Sequence, residues 1–333
     1  MDLFALGTPV VDVFVKADNK LLAKLNARKG ASNFFSSKEI AQIEKSLVKK
    51  IFYKYVGDNA RNVCEGFSAL GGFCGFQGRI GEDTAGAYFA SNLNECGIAN
   101  FLEEKKGSTG KIVVLLTPDK QRTFCVNLGV SETCSKPDKI AMKNARMFYT
   151  TSITLIGNTP VAKLALVYME NCKKIKRPIA IALESPPMVA KNKKFLLSVI
   201  KKYANVLFLN EDEAEALLGK KSEETLRRLK PKIPVYLKKG KHGSLLFYEK
   251  QKHVISALKA KILDTTGAGD AYAAGVLYGL SRKYTALSSA KIGCYLATKV
   301  AEKFGAGVPF SHIRMKMGKK AKRKQNITIR KKL

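Results

Sequence analysis

From about residue 55 onward, short runs of β-branched and aliphatic residues alternate with amphipathic stretches, the pattern of βα units winding a largely parallel sheet. Ile179-Ala180-Ile181-Ala182-Leu183, Val206-Leu207-Phe208-Leu209 and Pro234-Val235-Tyr236-Leu237 are nearly all apolar, which predicts strands buried on both faces. One intervening helix is marked by Thr159 as N-cap and Pro160 at its first position, followed by apolar Val161, Leu164, Leu166 and Val167. The region up to about residue 50 and the stretch from about 107 to 128 read differently. There, Lys111-Ile112-Val113-Val114-Leu115-Leu116 runs into a Pro118-Asp119 turn, and such strands predict a small antiparallel sheet covering one end of the main domain. The expected organisation is one α/β domain over residues 1–312, with covering strands drawn from about 10–40 and 107–128, then a basic, mobile tail over 313–333. From Arg314 to Leu333 there are ten Lys or Arg and no acid. No internal repeat is visible.

Composition adds little to this picture and removes some alternatives. With 46% hydrophobic and 26% charged residues, the chain is too apolar for disorder and can bury a sizeable core. The start, Met1-Asp2-Leu3-Phe4-Ala5-Leu6-Gly7, carries an acid where a secretory signal would carry Lys or Arg, and no apolar run approaches bilayer length. A cytoplasmic protein without a membrane span is expected. Seven scattered cysteines without a C-x-x-C pair, with three histidines, argue against a disulfide framework or a zinc site. The formal charge of +32 attracts polyanions. We read it as charge spread over solvated faces, to the benefit of anionic nucleotide substrates; association with nucleic acid through the basic tail, or with a membrane surface, is the less favoured reading.

The chemistry concentrates in Asp264-Thr265-Thr266-Gly267-Ala268-Gly269-Asp270, which follows a β-rich segment, Ala260 to Leu263, and opens a small-residue helix through Ala271, Ala273, Ala274 and Gly275. A Gly-rich turn at a helix N-terminus presents unpaired N–H groups at the positive end of the dipole and lets a phosphate approach without a Cβ in the way. A carboxylate inside such a cradle repels the anion unless it has another duty. Asp270 is therefore a candidate general base, accepting the proton of a hydroxyl that attacks a γ-phosphorus. The plainer alternative is a tight turn with Asp270 as helix cap.

At these residues the chain resembles the PfkB, or ribokinase, family of carbohydrate and nucleoside kinases. Asp264 to Asp270 fits the family's C-terminal signature D-[TS]-x-G-A-G-D throughout, and Gly71 to Gly86 supplies its Gly-rich strand ending in G-x-D-x-x-G, here Gly81, Asp83 and Gly86. The resemblance spans roughly residues 3 to 310. It implies a ribokinase-like three-layer α/β/α fold with a mainly parallel central sheet and a small β-sheet lid. It also implies phosphoryl transfer from ATP, with Mg²⁺, to a sugar or nucleoside hydroxyl. In that frame Asp270 matches the catalytic base, and Gly267, Ala268 and Gly269 match the anion hole, with Thr265 and Thr266 beside the nucleotide. Asn210 and Glu213 match the N-x-x-E motif, Glu213 acting on Mg²⁺ through water; hard oxygen ligands suit that ion, although an acidic helix start gives the same pattern. Lys238, Gly240 and Gly243 stand where T-x-G-x-x-G lies along the phosphates, Lys238 replacing the Thr as a point charge. Leu6 to Asp12 resembles the family's first strand, in which Asp12 matches the sugar-binding acid, a carboxylate at the end of an apolar strand suited to a vicinal diol.

Gly57, Asp58 and Asn62 stand in the family's substrate loop, G-G-x-x-x-N. Here Asp58 replaces the second Gly, and Arg61 stands where smaller or neutral residues are usual, which places a Cβ and a charge where backbone should approach the sugar. Gly7 to Asp12, Thr117 to Thr123 and Tyr272 to Gly275 resemble the adenosine kinase-like branch, whose acceptor is the ribose 5′-hydroxyl. A ribose- or fructose-type sugar kinase, and an inactive kinase fold that binds nucleic acid, are the alternatives. Gly107 to Lys111 and Gly219 to Ser222 lack P-loop spacing. His242, His253 and His312 show no ligand spacing. Phe304-Gly305-Ala306-Gly307 would either flank an adenine ring or pack against a helix.

Overall fold

The computed structural model describes residues 1–308 apart from 221, 230 and 231, so the expected tail over 313–333 and His312 lie outside the described residues. Fourteen strands form two sheets: β1 Leu3–Leu6, β2 Val10–Lys16, β3 Ser32–Phe34, β4 Ile51–Val56, β5 Cys74–Gly81, β6 Ala99–Lys105, β7 Gly110–Leu116, β8 Arg122–Asn127, β9 Phe148–Thr151, β10 Ile179–Ala182, β11 Val206–Asn210, β12 Val235–Lys238, β13 Ser244–Tyr248 and β14 Gln251–Ile255. The larger has nine strands in the order β14-β13-β12-β11-β10-β9-β1-β5-β6, parallel except where β13 meets β12 and β14.

Both faces of this sheet are covered. Leu3 and Ala5 of β1, with Val206 and Phe208 of β11, enter a core against helices Asn59–Ala69, Ala268–Ser281 and Ala286–Ala301. The alternating Phe4, Leu6, Leu207 and Leu209 enter a second core against helices Pro160–Lys174, Lys193–Tyr203 and Glu211–Leu218. That two-sided burial explains the unbroken apolar runs. Helix Pro160–Lys174 begins as expected: the Thr159 side chain accepts a bond from the Ala162 N–H, Pro160 follows, and Val161 and Leu164 are buried, although Val167 is exposed.

The smaller sheet has five strands, β3-β8-β7-β2-β4, over its own core with helices Asn19–Lys24 and Ser37–Leu47. It is mixed rather than antiparallel, because β2 and β7 pair in parallel from Val10 opposite Gly110, and β3 runs parallel to β8. The cause is geometric: β2 and β7 both leave the main domain at the same edge and travel outward together. It also recruits β4, beyond the boundary expected near residue 50. Where β7 departs, Asp83 caps helix Thr84–Glu95 through the Gly86 N–H and accepts bonds from both the Thr109 N–H and hydroxyl, at 2.9 and 2.6 Å. A Cβ on Gly86 would meet the Gly81 carbonyl at 2.2 Å, so the G-x-D-x-x-G residues form a close-packed root for the lid.

Ala260 to Leu263 is not a strand. The sheet ends at β14, and this segment has no strand partner; the Leu263 N–H instead donates to the Ala301 carbonyl at the end of the last helix.

Candidate active site

The turn Asp264 to Gly269 is built around two requirements. Gly267, the N-cap of helix Ala268–Ser281, has φ of +72°, and a Cβ there would meet the Ala306 Cβ at 2.5 Å. Only glycine satisfies both the conformation and the space. Asp264 fixes the loop from behind: its Oδ1 accepts from the Thr266 N–H and hydroxyl at 3.0 and 2.6 Å and from Arg122 of β8 at 2.6 Å, while Oδ2 accepts from the Gly305 N–H at 3.1 Å. Burial pushes its carboxyl up, but the bonds from Thr266, Gly305 and Arg122 outweigh it and hold the group below its usual range. The cradle is thus pinned to the lid and to the segment carrying Phe304 and Ala306.

Asp270 does not cap the helix. Its Oδ2 accepts from the Asn62 side-chain amide at 3.0 Å, and the helix has no side-chain cap. Burial pushes its pKa up to about 7, against the opposing effects of the Asn62 bond and the Lys238 charge. A carboxyl poised near neutrality suits proton acceptance from an alcohol during transfer. Lys238, at the end of β12, lies against the cradle: a Cβ on Gly269 would meet its Nζ at 3.2 Å.

Of the other expected donor-side residues, Glu213 is near enough for its charge to act on Asp270. Asn210 and Glu213 form a reciprocal capping box at the start of helix Glu211–Leu218, with both Glu213 oxygens bonded to Asn210 at 2.7 and 2.9 Å. That carboxylate, pushed up by burial, is held rigid and keeps lone pairs for a water, which fits an outer-sphere Mg²⁺ role. Gly240 and Gly243, at φ of +51° and +85°, shape the turn between β12 and β13. The Thr265 carbonyl accepts from the Ala268 N–H within the cradle turn.

On the acceptor side, Asp12 lies inside β2 of the small sheet, not at the end of the first strand of the main sheet. It pairs opposite Tyr55, and Phe14 pairs opposite Tyr53. The two tyrosine rings stack with centroids 6.2 Å apart and planes 10° off parallel. Asp12 Oδ1 is buried without a partner, and burial, then the Asp58 charge, push the carboxyl up to about 7. A Cβ on Gly57 would meet that Oδ1 at 2.9 Å.

Asp58 caps helix Asn59–Ala69 with φ of +88°; its Oδ1 accepts from the Arg61 N–H at 2.8 Å and its Oδ2 from the Thr8 N–H at 2.6 Å. Gly7 makes room, since a Cβ there would stand 2.4 Å from Asp58 Oδ1. Arg61 does not line the cavity, but its Nη1 donates to the Asn62 side-chain oxygen at 3.2 Å, so its charge stands behind the substrate loop. Its guanidinium is buried, bonded to Glu65 at 2.6 Å and to the Tyr55 hydroxyl at 2.7 Å.

Asp12, Asp58, Asn62, Thr266, Gly267 and Asp270 thereby line one cavity of about 160 Å³. Phe14, Tyr53 and Tyr55 form its aromatic wall, which sequence reasoning missed; the alternation of Tyr53 and Tyr55 on one strand face was its signal. Phe304 packs against Phe14 and Tyr53 at 6.2 and 5.6 Å, while Ala306 reaches the cavity. Arg122 and Glu184 were also missed. Glu184, just beyond β10, has a buried, unpartnered Oε1, and burial, then the Asp270 and Asp58 charges, push its carboxyl upward.

The model of the pfkB family carbohydrate kinases matches residues 36–313. A 5-dehydro-2-deoxygluconokinase of Listeria monocytogenes is 27% identical over 269 residues, 76% of this chain and 82% of the relative. A probable fructokinase-7 of Arabidopsis thaliana is 28% identical over 256 residues, 72% of this chain and 74% of its own. Among solved structures, an adenosine kinase from Sinorhizobium meliloti superposes with a TM-score of 0.83 at 22% identity, covering 96% of this chain and 99% of that one, which speaks to the fold alone. The same holds for a probable sugar kinase from Rhizobium etli, with a TM-score of 0.85 at 21% identity, covering 95% and 98%. The chain belongs to the PfkB family of carbohydrate kinases: it has their three-layer α/β/α fold and is a phosphotransferase acting on a hydroxyl of a sugar or nucleoside.

Proposed function

We propose that this protein transfers the γ-phosphoryl group of ATP to the ribose 5′-hydroxyl of a nucleoside, adenosine first among them. The observation that carries the reading is the cavity itself, in which Asp270 and Asn62 face an acceptor space walled by Phe14, Tyr53 and Tyr55. Flat aromatic surface on the lid suits a stacked base, while Asp12, with an unpartnered oxygen, suits the ribose diol.

The acceptor hydroxyl loses its proton to Asp270 as its oxygen bonds to the γ-phosphorus, the bond to the β-phosphate bridging oxygen breaks, and ADP leaves. The N–H groups of Gly267 and Gly269, aided by the helix dipole, stabilise charge on the transferring group. Glu213 would hold a Mg²⁺ ion through water, and the ion would supply charge neutralisation to the phosphates. The lid, pinned through Asp83 to Thr109 and Arg122 to Asp264, excludes water from the reaction.

A free-sugar acceptor is the second reading, favoured by the sugar kinases among the sequence relatives. ADP formation by the purified protein with Mg²⁺ and ATP, measured against adenosine, other nucleosides, ribose and fructose, separates the two. Adenosine as best acceptor supports the proposal; turnover of a free sugar with none of any nucleoside overturns it.

A further inference from the structure

Charge is divided unequally across the site. The donor side has Lys238 against the cradle. On the acceptor side, no lysine, arginine or histidine lines the cavity among the described residues, whereas Asp12, Asp58 and Asp270 do. The nearby Arg61 guanidinium lies behind the cavity wall, where Glu65 pairs with its charge at 2.6 Å and where it also donates to the Tyr55 hydroxyl and the Asn62 side-chain oxygen.

Asp58 is the unusual member. Its backbone, at φ of +88°, occupies a region that glycine enters freely and a side chain enters with strain. The local structure nevertheless accommodates a carboxylate. Gly7 leaves the space for it, and the Thr8 and Arg61 N–H groups donate to its two oxygens. Burial pushes the Asp58 carboxyl up, and those donors oppose that shift by favouring the ionised form.

We propose that Asp58 is a specificity-determining residue: with Asp12 it makes the acceptor half of the cavity reject carboxylate- and phosphate-bearing acceptors and admit uncharged or cationic ones. This rests on the kinase reading of the same cavity and names its acceptor class. At pH 8, above the value of about 7 to which the Asp12 carboxyl is pushed, an acceptor's anionic group would be held in a partly desolvated space beside like charges, with no lysine, arginine or histidine lining the cavity among the described residues, so the comparison is made at that pH.

The rival explanation is that Asp58 serves only as a helix cap. Asp58→Asn separates the two when Tm is read beside selectivity: its one oxygen can still cap through the Arg61 N–H and Asn tolerates positive φ, but it carries no charge and cannot also accept from the Thr8 N–H, so a cap-only role lowers Tm and leaves the neutral-to-anionic ratio unchanged. The experiment compares two pairs of compounds, gluconamide with gluconate and adenosine with adenosine 2′-monophosphate, in wild type, Asp58→Asn and Asp58→Gly. Calorimetric binding is measured for each compound, and kcat/KM wherever ADP forms.

The wild type is expected to favour the neutral member of each pair by at least about tenfold, and both variants to narrow that ratio by about tenfold, the scale of one extra like charge at a shielded site. Equal binding of neutral and anionic members by the wild type, or a ratio unchanged in Asp58→Asn, overturns the inference. So does failure of all four compounds to bind. Absence of ADP formation with every nucleoside and sugar sinks the proposed activity instead, and calorimetry still decides this one.

Discussion

The two halves of the cavity are built in different ways. The donor half is almost continuous in sequence: seven residues from Asp264 to Asp270 make a turn, a cradle and a base, and Lys238 joins them from one neighbouring strand end. The acceptor half is assembled from β2, β4 and the start of helix Asn59–Ala69, and it exists only when the small sheet folds over the main one. Damage to the donor half should therefore appear in turnover, and damage to the acceptor half in acceptor affinity and selectivity.

The largest effect expected from the donor half is that of Asp270→Asn, which should lower kcat by about 10²-fold or more while ATP binding persists, the range for removal of a general base. Wild-type kcat in that variant, by steady-state ADP release, would remove Asp270 from the chemistry. Gly267→Ala forces a Cβ against Ala306 at φ of +72°. Strain of about 1–3 kcal/mol in the cradle should cut kcat roughly 5- to 100-fold. A change confined to acceptor KM would contradict the assignment of that turn to the donor half.

On the acceptor side, Tyr53→Ala removes one ring of the stacked pair and should raise the KM for a nucleoside by roughly 2- to 13-fold, with ATP KM unchanged, since an aromatic pair contributes about 0.5–1.5 kcal/mol beyond its buried area. The smallest effect belongs to Arg122→Gln. Its bond to Asp264 joins the halves, but the Arg122 side chain is 32% exposed, and a pair of this exposure contributes about 1 kcal/mol or less. A rise of two- to fivefold in both KM values is expected.

The raised carboxyls give the comparison a pH dependence. Asp270 must be ionised to accept a proton, so kcat/KM should climb as pH rises through about 7. Asp12 acts on stability in the opposite sense. Its folded pKa of about 7 exceeds the unfolded value near 3.8, so the fold holds a proton there that the unfolded chain has released. The stability this contributes is complete below the unfolded value and is lost as pH rises through the folded one. Asp12→Asn should accordingly raise the Tm of the ligand-free protein at pH 8 while weakening acceptor binding; an unchanged or lowered Tm would mean that Asp12 is not desolvated as described.

How much of this was legible in the sequence follows the same division. Asp264 to Asp270 could be read because turn and helix-start chemistry are local, and the alternation of apolar strands announced the two-sided sheet. The error at Ala260 to Leu263 arose because β-rich composition says nothing about whether a sheet edge is available to receive it. The acceptor wall escaped notice because Asp12 and Tyr55 are opposed only through strand pairing across 43 positions. Arg61 was misread for a related reason: a charge beside a substrate loop looks exposed until Glu65, one helical turn on, is seen to draw it inward. The strain at Asp58 and the clearance at Gly7 are invisible in sequence, being properties of two backbones that meet.

The most direct test is identification of the product by ³¹P NMR after incubation with ATP, Mg²⁺ and an equimolar mixture of adenosine, ribose and fructose. The account predicts one new phosphomonoester, on the ribose 5′ oxygen of adenosine, formed in step with ADP. Esters on ribose or fructose alone, or ADP and inorganic phosphate without any ester, would contradict it.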